Sequence, residues 1–192
     1  MKEHSHFLLY KPDGYLSQFV TNQTKRKNKK LLGELFDFPE QIMAIGRLDE
    51  PSEGLLLLTT DGMYSEHIRS SKVEKEYLAQ IDGIIEDTAI KQLQNGIEIS
   101  TESGTYKTKN CKVQKLESEP ELPPRRKKIR DERHGPTSWI SITLTEGKYR
   151  QVRKMTAAVG YPTLRLVRLR IGEFRIGKMK PGEVIELNPQ SY

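Results

Sequence analysis

The stretch that decides the fold is Ala44-Ile45-Gly46-Arg47-Leu48-Asp49-Glu50-Pro51-Ser52-Glu53-Gly54-Leu55-Leu56-Leu57-Leu58-Thr59. Its ends are apolar and its middle is polar. Four successive leucines followed by Thr59-Thr60-Asp61-Gly62 predict a short strand buried on both faces, because the run is too brief for a helix and shows no alternation. Residues 42–45 predict a second strand that stops at Gly46. The loop between them is therefore mounted at both ends on buried strands, and loops so mounted often carry function. Asp49 lies in it. From local sequence alone an aspartate there has two readings: a loop carboxylate that accepts nearby backbone N–H groups, or a nucleophile or general base.

Outward from this stretch, residues 7–10 predict a strand closed by a turn at Lys11-Pro12-Asp13-Gly14. Residues 31–38 predict a short helix, and 63–70 another. Residues 77–81 predict a strand. Asp87 is placed to N-cap a helix through Ile90 and Leu93 that ends at Asn95-Gly96. Residues 97–99, 105–116 and 139–145 alternate as strands do. Residues 151–159 predict a helix with Val152, Met155 and Val159 on one face, stopped by Gly160 and then Pro162. Residues 164–171 and 184–187 predict two last strands. Hairpin-like strands with a few short helices specify an α+β fold: a mostly antiparallel mixed central sheet flanked by short helices. A length of 192 residues suits one domain, or two lobes sharing a core, over residues 1–192.

Net charge is +6, with 30% charged residues. Three segments concentrate the positive charge. Residues 21–30 hold Lys25, Arg26, Lys27, Lys29 and Lys30 with no acid. Residues 117–136 form a proline-rich loop carrying Arg125, Arg126, Lys127, Lys128, Arg130 and Arg133. Residues 145–180 hold ten basic residues against two acids. In Arg165-Leu166-Val167-Arg168-Leu169-Arg170 basic and apolar residues interleave, so a strand there is expected to pack one face and show arginines on the other. Three basic segments that can converge on one groove point to RNA more strongly than net charge does.

Several chemistries are excluded. The four histidines form no metal-ligand spacing with Cys, Asp or Glu. Nucleotide-binding glycine loops and the Gly-x-Ser-x-Gly elbow are absent. The single cysteine, Cys111, permits no internal disulfide and reads as a small buried residue in a reducing compartment. The N-terminus lacks a signal peptide and no run is long enough to span a membrane, so the expected location is cytoplasmic, without a membrane partner.

The residues around Asp49 also carry a resemblance. Ala44-Ile45-Gly46-Arg47-Leu48-Asp49 with Ser52-Glu53-Gly54-Leu55-Leu56-Leu57-Leu58-Thr59 resembles the catalytic signature of the pseudouridine synthases, in the branch that modifies ribosomal RNA. Lys75-Glu76-Tyr77, Pro136-Thr137-Ser138-Trp139, Glu146-Gly147-Lys148-Tyr149-Arg150-Gln151-Val152-Arg153-Lys154-Met155 and Gly160-Tyr161-Pro162-Thr163-Leu164-Arg165-Leu166 match further motifs in the expected order. The resemblance implies a two-lobed catalytic domain with a cleft, Asp49 at its floor, and no preceding S4-type RNA-binding domain. It implies isomerisation of a uridine in large-subunit ribosomal RNA by a monomer, with no cofactor and no metal. The N-glycosidic bond breaks, the base turns, and C5 joins C1′, after the base has been flipped out of its stack.

By the same resemblance Asp49 acts at the ribose, either adding to C1′ or removing a ribose proton. Arg153 pairs with the aspartate, which would keep it ionised. Tyr77 stacks on the flipped uracil, and Leu166 packs against it. Arg47 fills the gap in the RNA stack or holds phosphate, and Arg150, Arg165, Arg168, Lys25, Arg26, Arg125, Arg126 and Lys127 contact the RNA. Glu50-Pro51 departs from the usual basic-Asp pair, and Lys148 and Lys154 stand where arginine is common. The rival readings are the same chemistry on small-subunit ribosomal RNA or tRNA, a non-catalytic RNA-binding or ribosome-assembly protein, and a metal-dependent nuclease, which the lack of clustered carboxylates disfavours.

Overall fold

In the computed structural model, residues 4–20, 29–70, 73–129 and 132–187 are described. The elements run β1 (His6–Lys11), β2 (Tyr15–Leu16), β3 (Lys30–Leu31), β4 (Met43–Ala44), β5 (Glu53–Thr59), α1 (Gly62–Ser70), β6 (Lys75–Asp82) and α2 (Asp87–Gln94). They continue as β7 (Glu98–Thr101), β8 (Gly104–Lys107), β9 (Lys112–Lys115), β10 (Thr137–Leu144), α3 (Gln151–Ala158), β11 (Thr163–Ile171), β12 (Phe174–Arg175) and β13 (Val184–Leu187). This is the α+β architecture that the sequence predicts. The chain divides into two compact units, the first made of Met1–Val73 with Arg175–Tyr192 and the second of Glu74–Phe174.

In the first unit, β1 lies between β13 and β5, and β4 adds to the far edge of β5, all antiparallel. Leu8 pairs with Leu57 and Leu9 with Leu56. Every residue of β1 and of β5 is buried, as the unalternating leucine run requires. Phe7, Leu9, Leu32, Leu56 and Leu58 form the core, with Phe19, Leu35 and Phe38 packed against them. The helix expected over residues 31–38 shrinks to one 3-10 turn, Leu32–Glu34, in which the Glu34 carboxylate accepts the Leu31 N–H at 2.7 Å. Gly33, Asp37 and Pro39 flank a segment too short to repay helix nucleation. Beyond that turn the chain instead sets the Phe38 ring 5.6 Å from Phe7 and 5.3 Å from Phe19.

The end of β1 departs from the sequence reading in a way that matters for the Asp49 loop. Lys11 is the last strand residue, not the first of the turn, and its side chain is fully buried. Its ammonium donates to the carbonyls of Pro12 (2.9 Å), Ser52 (2.7 Å) and Glu50 (3.3 Å). Burial drives the Lys11 pKa from 10.5 down to about 7, against the opposing charges of Glu53, Asp13, Asp49 and Glu50. The loop carbonyls that have no strand partner are thus met by one buried cation, and an unmet buried carbonyl would be costly.

In the second unit, β6 is central: the order is β11-β6-β10-β9, antiparallel throughout. β11 carries irregularities between Thr163 and Arg165 and between Arg168 and Arg170. α2 buries Ala89, Ile90 and Leu93; Asp87 is its first residue, with Glu86 in the cap position. α3 buries Val152, Met155 and Thr156 and ends at Gly160, whose φ is +89°. The long strand expected over residues 105–116 breaks into β8 and β9, and β8 pairs with β7 in a separate hairpin. At the break Thr108 exchanges bonds with Ile97, donating its N–H to the Ile97 carbonyl and accepting the Ile97 N–H on its hydroxyl, and the Cys111 N–H donates to Gln94. These local partners replace a ladder. Gly96 permits the approach: its φ is +80°, and a Cβ there would lie 2.2 Å from the Thr108 carbonyl oxygen.

Gly96→Ala is therefore expected to lower stability by about 2 kcal/mol or more, from backbone strain and overlap together, as measured by urea unfolding. Lys11 makes a second prediction. With the native pKa at about 7 and the ordinary value at 10.5, the unfolded chain holds the proton across that interval and the native chain does not. The cost of burying the charge is full below pH 7 and is relieved as pH rises toward 10.5. Stability of Lys11→Met, which loses the titrating group, should climb less with pH over that window than stability of the wild type. Equal slopes in urea unfolding from pH 7 to pH 10.5 would remove Lys11 as the source.

Candidate active site

In the first unit, Asp49 sits half-buried on the loop between β4 and β5. The loop is fixed on both sides of it. Gly46 turns the chain with φ +73°. The Ser17 hydroxyl donates to the Leu48 carbonyl at 2.8 Å and accepts the Leu48 N–H at 3.0 Å, so the residue before Asp49 is clamped by one side chain. The Asp49 carbonyl accepts the Ser52 N–H at 2.9 Å. The Glu50 carbonyl accepts the Gly14 N–H at 2.8 Å as well as the Lys11 ammonium. The Asp49 carboxylate is among the charges that act on Lys11, and Arg47 is exposed. The arrangement holds a carboxylate on a backbone that cannot relax around it, which is what a nucleophile or base needs.

The Glu50 departure has a structural use. The Glu50 carboxylate takes both oxygens to the Lys29 ammonium, at 2.6 and 2.7 Å. The next basic residue, Lys30, lies 5.3 Å from the Tyr15 ring centroid. Two of the five cations expected to face RNA in residues 21–30 thus hold the protein to itself. Lys25, Arg26 and Lys27 lie outside the described residues.

In the second unit, the sheet brings three of the expected residues onto one face. Tyr77 of β6 pairs with Arg168 of β11, and Ala79 with Leu166, and cross-strand partners share a face. The Arg168 guanidinium carbon lies 5.9 Å from the Tyr77 ring centroid. Tyr77 and Leu166 are buried. Arg153, half-buried on α3, donates to the Thr163 carbonyl at 3.1 Å, which ties the helix to the start of β11.

The expectation that β11 shows its arginines to solvent is not met: Arg165 and Arg168 are 8% and 3% exposed. The Arg165 guanidinium donates to the Pro123 carbonyl at 2.8 Å and so pins the long basic loop. Residues 165–168 pair with β6 in unbroken register and are all buried, so this part of β11 is covered on both faces like the leucine run of β5. On that loop Arg125 is half-buried, and Arg126, Lys127 and Lys128 are exposed. Arg150 is exposed just before α3.

Ser138 and Lys11 have structural roles that motif and turn signals do not reveal. Ser138, in the Pro-Thr-Ser-Trp stretch, bridges a turn, donating to the Gly83 carbonyl at 2.8 Å and accepting the Ile85 N–H at 3.0 Å. Lys11 was read as part of a turn; the available signal was its in-phase position two residues after Leu9 on an apolar strand. Burial, and then Glu146, push the Cys111 thiol up to about 11, so it is a neutral thiol near neutrality, and it donates to the Leu93 carbonyl. Among the described residues, no three His, Cys, Asp or Glu side chains are grouped as a metal site requires, and no helix is long and apolar enough to cross a membrane.

Comparison with known proteins places these observations in a family. A family model for RNA pseudouridylate synthase matches residues 5–158. The chain is 40% identical over 178 residues to "Ribosomal large subunit pseudouridine synthase E" of Xanthomonas campestris pv. campestris, covering 92% of this chain and 91% of that one. It is 31% identical over 191 residues to "Ribosomal large subunit pseudouridine synthase B" of Bacillus subtilis, covering 98% of this chain and 70% of the relative. Among solved structures, the crystal structure of a pseudouridylate synthase superposes with a TM-score of 0.77 at 26% identity, over 99% of this chain and 73% of that one. With most of its length matched by the family model, and with relatives well above 30% identity over nine-tenths of the chain, this protein belongs to the RNA pseudouridylate synthase family of isomerases.

Proposed function

We propose that this chain isomerises a uridine of large-subunit ribosomal RNA to pseudouridine, with residues 1–192 acting as one catalytic domain. The observation that carries the substrate is the 40% identity, over nine-tenths of both chains, to a relative named for the large ribosomal subunit. The reaction needs no net addition or loss of atoms. The C1′–N1 bond breaks, the uracil turns, a C5–C1′ bond forms, and the C5 proton leaves while N1 gains one. A base inside a helix does not expose C1′ or C5 to a side chain, so the uridine is flipped out first.

Asp49 is the group proposed to act at the ribose, supported by its mounting on a loop clamped by Ser17 and Lys11. Tyr77 stacks on the flipped uracil and Leu166 packs beside it, supported by the shared face that cross-strand pairing gives them. Arg153 compensates negative charge in the reaction, and Arg168 orients Tyr77 through the guanidinium over its ring. Arg47, Arg150 and the exposed Arg126 and Lys127 supply RNA contacts, with Arg165 setting the basic loop through Pro123. A cytoplasmic location is the one we propose for it, in keeping with a ribosomal RNA substrate.

The test uses RNA tritiated at uracil C5, with large-subunit RNA, small-subunit RNA and tRNA in separate reactions. Tritium release from large-subunit RNA is expected. Release only from another RNA moves the substrate, and release from none of them leaves an RNA-binding protein in place of an enzyme. Asp49→Asn should slow release on the order of a thousandfold or more, and a variant with near-normal release would take the catalytic role from Asp49. Replacing Arg126, Lys127 and Lys128 together by Ala should weaken RNA binding and flatten the plot of log affinity against log salt by up to about three units of slope. An unchanged slope would show that this loop carries no phosphate contacts.

A further inference from the structure

The segment Gly147-Lys148-Tyr149-Arg150 is more tightly built than a connection between β10 and α3 requires. Its anchor is Glu146. The Glu146 carboxylate accepts the Tyr106 hydroxyl at 2.6 Å, the Lys109 N–H at 2.9 Å and the Gln151 amide at 2.5 Å. Gln151 in turn accepts the Lys148 N–H at 2.8 Å. Burial pushes the Glu146 carboxyl up, but the bonds from Tyr106, Lys109 and Gln151, with the Lys109 charge, outweigh it and hold the group below the usual carboxylate range. One ionised carboxylate therefore staples the β7–β8 hairpin, the segment after it and the first turn of α3 together.

What this staple displays is unusual. Tyr149 is 69% exposed, although a tyrosine is ordinarily covered at least in part by its neighbours. The Lys154 ammonium lies 5.3 Å from the Tyr149 ring centroid, on one face, and donates to the Ser100 carbonyl at 2.7 Å, which fixes it to the hairpin. Lys148 is held in the same way, its ammonium 4.6 Å from the Tyr106 ring centroid. Arg150 is exposed and adopts the left-handed conformation (φ 54°, ψ 34°), where glycine is unstrained and arginine is not. Backbone strain retained at an exposed charged residue points from the outlier toward a use for the side chain.

We propose that Lys148, Tyr149 and Arg150 form a docking surface for an unpaired stretch of the RNA substrate, with a base stacked on the open face of Tyr149 and phosphates against Lys148 and Arg150. The inference rests on the reading of the chain as an RNA-modifying enzyme and adds where single-stranded RNA beside the target is held. The chemistry fits that partner. An aromatic face accepts any base, cations beside it take the backbone, and a ring whose second face carries an ammonium is favourable next to phosphate. The acid nearest in sequence, Glu146, keeps its charge, but its carboxylate is turned to three donors of its own chain, and Lys148, Arg150 and Lys154 outnumber it.

The test measures binding of the whole protein to in-vitro transcribed large-subunit ribosomal RNA as a function of salt, with melting temperature followed in parallel. Tyr149→Ala should raise Kd about tenfold, and Tyr149→Phe, which keeps the stacking face, should stay within about twofold of wild type. Arg150→Gly should lower the salt slope by about one unit, while its melting temperature holds or rises because glycine relieves the backbone. Wild-type affinity in Tyr149→Ala, an equal loss in the Phe and Ala variants, or an unchanged slope in Arg150→Gly would each overturn the surface. Tritium release by the wild type is run alongside. Normal release with unaltered affinities sinks this inference alone, whereas a wild type that neither binds nor releases sinks the RNA reading with it.

Discussion

A loop that feeds into a strand buried along its whole length must leave some carbonyls facing inward with no neighbouring strand to pair them. In the loop that carries Asp49 two side chains meet this constraint, Ser17 at Leu48 and Lys11 at Glu50 and Ser52. Lys11, fully buried, bonds the carbonyls of Pro12, Glu50 and Ser52. Much else in the first unit follows from that choice. An ammonium taken out of water is tolerated only if donors and charges are matched around it. Asp13, Asp49, Glu50 and Glu53 provide the charge, and the three carbonyls take its protons. The same carboxylates that keep Lys11 inside are thus held near the loop by it.

The second unit contains the mirror image of this device. There a carboxylate, Glu146, accepts from a tyrosine hydroxyl, a backbone N–H and a glutamine amide. Glu146 opens one of the motifs, and Lys11 lies outside all of them. Both bind partly to backbone atoms, so they constrain position without depending on the identity of the residue they hold. Removing Lys11 would leave the Ser52 carbonyl buried without its donor, and such a group costs more than the bond contributes when made. A site assembled from loops gains the rigidity of regular structure by this means.

The leucine run was legible because period and length decide it: Leu55 to Leu58 cannot be read as half-exposed, and β5 is buried throughout. The α3 boundaries were legible because Gly160 can end a helix at little steric cost. Residues 31–38 misled because their apolar spacing suits a helix, while the chain leaves the helical path after one 3-10 turn and packs Leu35 and Phe38 against the core. Residues 105–116 misled because alternation says nothing about where a ladder partner is missing, and the Gly96–Thr108 approach that interrupts it joins positions far apart in the chain. At the candidate site, Asp49, Tyr77 and Leu166 could be picked out by their motifs. Lys11 could not, since its partners are carbonyls, which carry no letter in a sequence. Charge counting also overstated the surface: Arg165, Arg168 and Lys29 are cations that face inward or bind their own chain.

If every arginine of β11 faced solvent, positive charge would be spread over a strand and would attract RNA without orienting it. With Arg168 over Tyr77 and Arg165 on Pro123, the strand's charge is converted into geometry. Among the exposed cations, Arg126, Lys127, Lys128, Lys148 and Arg150 lie on two short segments whose roots are pinned, one by Arg165 and the other by Glu146. Phosphate contacts carry no sequence information but fix register, and they fix it only as well as the segments bearing them are held. An enzyme that must turn one uridine among many gains more from a few well-rooted cations than from a larger diffuse field.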